Sequence, residues 1–494
     1  MKTSSLFAGF DVGTQGLKGL LIDAASKRVV ARAQSSYGLI EGLGPGAAEQ
    51  HPDTWIQGLD KVSRELFSSD GVDASRLAGI GISGQQHGLV VLDREQRPLR
   101  AAKLWCDTST AAEARELSEK LGRAIPAGFT ASKVLWLARH EPQVWARVES
   151  VMLPHDYVNL RLTGSAWSEA GDASGTGWFD PARRSVDSNA CRAIDPRLEE
   201  RLAPLAAPGS IPGRLSADGA RLLGLAKSLE GTPISTGAGD NMASAIGAGA
   251  TREGVCVVSL GTSATVFSYS ARAIVDPSGA IAPFCDSTGG YLPLLCVMNA
   301  TSAIEEVCKA FSSTHEELER EAALLEVDPD GPLCLPYFIG ERVPDLPQAR
   351  AALIGLRPGS LSRARVYRAC IEGIALNLAA GVARMRALGI PCTELRAVGG
   401  GAKNRLWLQI LADACGASVL PLAEAESGAL GAALQACWSV AKERDAGLAC
   451  DPIAQQWVQA GASVLRPDPS IAQAMEQLSH RFQAAQRALF GPLP

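Results

Sequence analysis

A chain of 494 residues with 46% hydrophobic and 20% charged residues has the balance of a packed globular protein of two or three large units, which excludes a disordered or fibrous chain. A net charge of −5 with no long basic run speaks against nucleic acid and anionic membrane as partners. Twelve cysteines, none of them in a Cys-x-x-Cys pair, exclude zinc ribbons and thioredoxin-type redox motifs. Cys256 in Val-Cys-Val-Val and Cys296 in Leu-Leu-Cys-Val-Met lie in apolar runs and read as buried free thiols of a reducing compartment. The N-terminal stretch runs quickly into Asp11, and no window offers the ~18 apolar residues of a membrane span. A cytoplasmic location is expected.

In chain order, residues 6–23 predict a strand, the tight turn Gly13-Thr14-Gln15-Gly16 and a second strand. Residues 29–38 predict a third. From 52 to about 69, Trp55, Leu59, Val62 and Leu66 recur on one helical face. Residues 77–83 predict a strand that ends in the loop Gly84-Gln85-Gln86-His87-Gly88. Residues 126–140 open as a loop and become a helix. Near residue 250 the opening is repeated: Val255-Cys-Val-Val-Ser-Leu, then Gly261-Thr262-Ser263-Ala264, then Thr-Val-Phe-Ser-Tyr. Thr14 and Thr262 are about half the chain apart, which suggests two related lobes, 1–248 and 249–494, each opening with a hairpin. No low-complexity linker separates them. Residues 394–416 predict a strand, the run Gly399-Gly400-Gly401, and a helix with Leu406, Ile410, Leu411 and Ala414 on its apolar face, stopped by Gly416. Such a junction leaves backbone N–H groups open to an anion or nucleotide. Residues 470–489 predict an amphipathic surface helix.

Several of these pieces suit phosphoryl transfer, which needs donors around phosphates, a carboxylate for a metal ion, a base at the attacking hydroxyl and exclusion of water. The N–H groups of Gly13, Thr14, Gln15 and Gly16 could approach phosphate oxygens, with Lys18 close behind, although this is no GxxxxGK[ST] loop. Asp11 interrupts an apolar strand, a costly position unless the carboxylate is paired or holds a cation; it is read as orienting Mg²⁺ through water. The alternative is an ordinary hairpin with Asp11 on a wet face. Gly261, Thr262 and Ser263 would form a second phosphate hairpin, or a plain turn. Asp240 and Asn241 stand before a Gly/Ala-rich helix, where Asp240 reads as a helix N-cap, a role compatible with that of a base rigidly held at a cleft. Gln86 and His87, flanked by glycines, suit recognition of sugar hydroxyls, against the alternative of an exposed loop. Trp105 and Asp107 could add an aromatic face and an acceptor.

In this order the pieces resemble the FGGY carbohydrate kinases, from about Phe10 to about Ala436. The likeness rests on Phe10-Asp-Val-Gly-Thr, Ser83-Gly-Gln-Gln-His-Gly, Gly128-Phe-Thr-Ala-Ser-Lys-Val-Leu-Trp, Asp172-Ala-Ser-Gly-Thr, Gly239-Asp-Asn, Ser259-Leu-Gly-Thr-Ser, Leu335-Pro-Tyr-Phe-Ile-Gly-Glu-Arg and Gly399-Gly-Gly-Ala. It implies an α/β protein with the two-lobed actin/hexokinase-like ATPase (ribonuclease H-like) fold, a deep interlobe cleft, and ATP and Mg²⁺ as cofactors. Gln86-His87-Gly88 is similar to the loop of members that phosphorylate the 5-hydroxyl of the ketopentose D-xylulose; the glycerol-specific members carry an Arg-Glu pair there. L-xylulose, ribulose, erythritol, gluconate and a non-catalytic sensor stay open as alternatives, and a homodimer is left open. By the resemblance, Asp240 is the catalytic base beside Asn241, Gln86 and His87 touch the sugar, Asp11 serves the metal, and Gly400, Gly401 and Asn404 line the ATP site. Cys106-Asp107-Thr108-Ser109 replaces the Asn-Asp-Gly-Arg of some relatives, and Glu306 stands where relatives often carry a Trp near the adenine.

Overall fold

In Leu6–Val12 every residue except Asp11 is buried, the pattern of a central strand covered on both faces. The computed structural model, which describes residues 5–491, places it there. Leu6–Val12 pairs antiparallel with Gly16–Asp23, which pairs antiparallel with Arg28–Ser36. On its other side it runs parallel to Leu77–Gly84, beyond which lie the short strands Pro233–Ile234 and Gly213–Arg214. Ala238–Gly239 also pairs parallel with Leu77–Gly84.

Side chains alternate across a strand, so the two faces meet different helices. Ala8, Phe10 and Val12 face the helix Pro52–Phe67, whose predicted stripe of Trp55, Leu59, Val62 and Leu66 is wholly buried. Each such side chain contributes about 1.5–3 kcal/mol. Phe7, Gly9 and Asp11 face the helix Ser427–Lys442. That helix approaches closely because glycines remove the obstacles: a Cβ on Gly9 would overlap Ala429 O, and one on Gly81 would overlap Ala432 O. Along its other side Gly431 lies on the backbone of the helix Asp240–Gly247.

The chain forms two compact units. One comprises the residues up to Thr251 with Pro283–Leu292 and Glu426–Trp457; the other comprises Arg252–Ala282, Pro293–Ala425 and the chain from Val458 on. These units are not contiguous in the chain, unlike the halves 1–248 and 249–494. Residues 426–457 fold with the first unit because their small side chains let a helix lie on the first sheet.

The second unit repeats the motif of the first. Val255–Leu260 pairs antiparallel with Ala264–Ser268 and parallel with Glu394–Val398, which is followed by Ser418–Pro421. Its core is built on Val258, Leu260, Tyr367, Ile371, Ile374 and Leu411. The helix Arg363–Ala387 is long and apolar enough to cross a membrane by composition, but 78% of its apolar window is buried in this core. The helix Arg405–Cys415 ends at Gly416 with φ +56°, the predicted left-handed stop. Ala472–Phe490 buries Met475, Leu478 and Phe482 on one face, as an amphipathic helix should. All twelve cysteines are free thiols, ten of them buried.

Candidate active site

Three parallel strands of the first unit end together. Asp11 pairs with Ser83, and Ala238–Gly239 pairs with Ser83–Gly84. The register alone therefore brings Asp11, the loop from Gln85 to His87, and Asp240 to one sheet edge. Beyond the carboxyl ends of strands is where open α/β sheets bind ligands.

The helix Asp240–Gly247 begins at Asp240. The N-cap position is thus taken by Gly239, and Asp240 stands one residue further on, at the first helical position. Its Oδ1 accepts from the backbone and side-chain nitrogens of Asn241, at 2.7 and 3.0 Å. Asn241 Nδ2 also donates to Gln86 Oε1 at 2.7 Å, so Gln86, Asn241 and Asp240 form one line. Burial pushes the Asp240 carboxyl up to about 8, and the nearby carboxylates of Asp11 and Asp172 add to the effect. A poised proton acceptor has this character.

Asp11 accepts from Ser83 Oγ at 2.6 Å. Burial raises its pKa, while Ser83 and the cross-strand Lys18 oppose the rise. The wet-face alternative does not hold, since Asp11 faces Gly428 in the first turn of Ser427–Lys442. A Cβ on Gly428 would stand 2.7 Å from Asp11 Oδ2. Lys18 is half-exposed and pairs with Glu426 at 2.8 Å.

The turn after Asp11 is held from within. Gly13 N–H donates to Gly16 O, and Tyr37 Oη donates to Gly13 O. Thr14 Oγ1 donates to Gln85 Oε1 and accepts from Trp105 Nε1, at 2.9 and 3.0 Å. Gln50, which sequence reasoning missed, donates to Thr14 O and ties in Gln85 and Trp55. The Gly13 amide and the Thr14 hydroxyl are thus engaged by the protein, and Gln15 is exposed at the tip. Trp105 anchors this turn through its N–H, a role unlike the sugar contact expected of it.

Asp107 requires a correction. It is fully buried and accepts from Ala48 N, Lys103 Nζ, Ser109 N and Ser109 Oγ. Both oxygens are satisfied internally, so Asp107 organises its own loop and offers nothing to a sugar.

His87 has φ +64°, and its ring packs against Phe129 and Phe284 at 5.2 and 5.7 Å between centroids. It is neither an exposed loop residue nor a lone contact, because Asp172 lies beside it. Asp172 and its partner His155 went unrecognised as site residues. Only the motif Asp172-Ala-Ser-Gly-Thr pointed there, and it carried no role.

In the second unit Gly261 N–H donates to Ser263 O, echoing the first hairpin, and Thr301 N–H returns to Gly261 O. Gly399 takes φ +86° with its backbone against Leu260 O, so the triple-glycine loop and the Gly261-Thr262-Ser263 turn are neighbours. Gly400 is open, with nothing near its Cα face; Gly401 is buried against Trp407. A short 3₁₀ turn, Gly400–Lys403, separates these glycines from the helix. Asn404 is that helix's N-cap, accepting from Trp407 N–H and donating to Tyr367 Oη. Its amide is engaged by the fold, so what it gives the loop is position. Glu306 is exposed and paired with Lys309.

A twice-repeated hairpin on parallel strands, a strand-end carboxylate pair and a glycine-rich loop define a sugar-phosphorylating enzyme of the two-domain kind. The chain belongs to the FGGY family of carbohydrate kinases: the N-terminal domain of that family matches residues 6–247 and the C-terminal domain residues 256–440. Among its relatives, the xylulose kinase of Haemophilus influenzae is 38% identical, covering 88% of this chain and 90% of its own. That of Streptomyces coelicolor is 37% identical over 93% and 92%. In three dimensions a Brucella ovis enzyme described as a xyloylose kinase superposes with a TM-score of 0.90 at 31% identity, covering 98% of this chain and 99% of its own. The fold extends to a Plasmodium falciparum glycerol kinase, with a TM-score of 0.85 at 20% identity over 99% of each chain.

Proposed function

We propose that this kinase transfers the γ-phosphoryl group of ATP to the 5-hydroxyl of D-xylulose. The observation that carries the reading is the hydrogen-bonded line Gln86–Asn241–Asp240 beside His87 at the strand ends. Gln86, His87 and Asn241 bind and orient the sugar. Asp240 Oδ1 is held by Asn241, and Oδ2 takes the proton of the attacking hydroxyl as the new P–O bond forms and ADP departs. The xylulose kinase relatives at 38 and 37% identity support the choice of sugar. The Gly13–Gly16 and Gly261–Ser263 turns, Lys18 and the Gly400-Gly401 loop are the proposed phosphate and nucleotide contacts. Twelve free thiols support a cytoplasmic setting.

Asp11 fits a magnesium ion held through water. Ser83 fixes one oxygen, and the other faces Gly428, which sets no side chain against it. Among the described residues no three His, Cys, Asp or Glu side chains gather to hold a metal unaided. The remaining ligands would then be water and phosphate, a common arrangement for Mg²⁺. The ion would supply neutralisation of phosphate charge. Asp11→Asn is expected to lower kcat about 100-fold and to shift the rate curve to higher free Mg²⁺ at fixed ATP. An unaltered Mg²⁺ titration would remove Asp11 from this role.

A coupled ADP-release assay over pentuloses and polyols tests the substrate. D-xylulose should give the highest kcat/KM, and a polyol or other ketose ahead of it overturns the choice of sugar. His87→Ala should raise the sugar KM about tenfold with little change in kcat, because a binding contact is lost while the base remains.

A further inference from the structure

Asp172 is fully buried and lies between two histidines. Its Oδ1 accepts the His87 backbone N–H at 3.3 Å and lies 3.7 Å from His87 Nδ1. Its Oδ2 pairs with His155 Nδ1 at 3.0 Å. His155 is also fully buried, and its Nε2 is 3.0 Å from Asp156 Oδ1. Asp156 Oδ2 in turn accepts the Leu153 N–H. Burial alone would lower the His155 pKa, but the two carboxylates outweigh it and raise it well above the usual imidazole value. A buried histidine packed between two carboxylates is costly to assemble and rigid once assembled.

The backbone at His87 explains why such rigidity is useful. A non-glycine residue at φ +64° is strained and persists only where its surroundings enforce it. Four constraints act here: the Asp172 bond to His87 N–H, the Thr130 Oγ1 bond to His87 O at 3.1 Å, the rings of Phe129 and Phe284, and Gly175, where any Cβ would overlap the imidazole. Among these only Asp172 reaches both the backbone and the ring, and only Asp172 is itself anchored by a buried ion pair.

We propose that Asp172, anchored by His155, is a positioning residue that fixes the backbone and ring of His87 for sugar binding. The inference rests on the reading of His87 as a sugar contact. Loss of the charge should loosen His87 and act on the sugar through it, without touching the nucleotide.

The test is a double-mutant cycle on D-xylulose and ATP kinetics. Asp172→Asn alone should raise the D-xylulose KM about tenfold, leaving the ATP KM and kcat within about threefold. In the His87→Ala background the same substitution should add nothing further. An unchanged sugar KM for Asp172→Asn overturns the proposal, as does a second, additive tenfold rise in the His87→Ala background. If His87→Ala itself leaves the sugar KM unchanged, the sugar-site reading and this proposal both fall. If His87→Ala raises KM and Asp172→Asn does not, only this proposal falls. Should circular dichroism show that Asp172→Asn does not fold, His155→Asn takes its place in the cycle with the same expected pattern. That variant keeps the Asp172 bond to His87 N–H and removes its anchor.

Discussion

Asp240→Asn should reduce phosphoryl transfer about 1,000-fold while D-xylulose still binds within about threefold of its normal affinity. The amide is close in shape and keeps an acceptor for Asn241, but it takes no proton from the attacking hydroxyl. A coupled assay for kcat and calorimetric titration of the sugar measure the two halves. Near-normal turnover would take the base role away from Asp240. The same variant should be more stable than the parent in alkaline, metal-free and ligand-free solution. The sign follows from the shift of the Asp240 carboxyl from an ordinary 3.8 to about 8 in the folded protein. The native state then holds a proton that the unfolded chain has released between those values. The stability linked to this group is therefore complete below about pH 4 and declines as pH rises, until it is lost above about pH 8. Asn carries no such penalty. The Tm advantage of Asp240→Asn should be near zero at pH 4 and largest above pH 8. A constant difference across that range would mean that the carboxyl is not held protonated by its surroundings.

Gly431→Ala should be the most damaging single methyl group in the first unit. The added Cβ would overlap Ala243 O and crowd Gly247 N, both backbone atoms of the helix Asp240–Gly247. No rotamer change relieves a backbone clash, so one of the two helices must shift. The cost should reach about 3 kcal/mol, and a thermal melt should show a Tm lower by on the order of 5–10 °C. Gly44→Ala, with nothing within 4 Å of its Cβ position, is the control and should be neutral. Because Asp240 opens the helix that must shift, Gly431→Ala should also lower kcat in whatever protein remains folded.

Legibility in the sequence followed the range of the interactions. The hairpins around Thr14 and Thr262, the stripe of Trp55, Leu59, Val62 and Leu66, and the stop at Gly416 depend on neighbours within a few positions, so a pattern of residues suffices to find them. Asp107 misled because a carboxylate beside a tryptophan looks like a sugar pocket in one dimension. Its four donors come from Ala48, Lys103 and Ser109, of which Ala48 is far away in the chain. That residues 426–457 pack with the first sheet is not legible in the sequence, because helical periodicity does not say which sheet a helix will cover. Gly9 and Gly81, on two different strands, decide that.

Asp11 combines both lessons. Its position in an apolar strand marked a carboxylate with work to do, and the alternation of side chains fixed the face it shares with Phe7 and Gly9. Local pattern and motif order by themselves thus determined the family, the hairpins, and Asp11, Asp240 and His87 as candidates. Tertiary structure alone decided what surrounds them: Gly428 at Asp11, Asn241 and Gln86 at Asp240, and the Asp172–His155 pair at His87. The physical reason is that strand register and helix packing join residues tens to hundreds of positions apart, and the burial and charge that set their chemistry exist only once those contacts form.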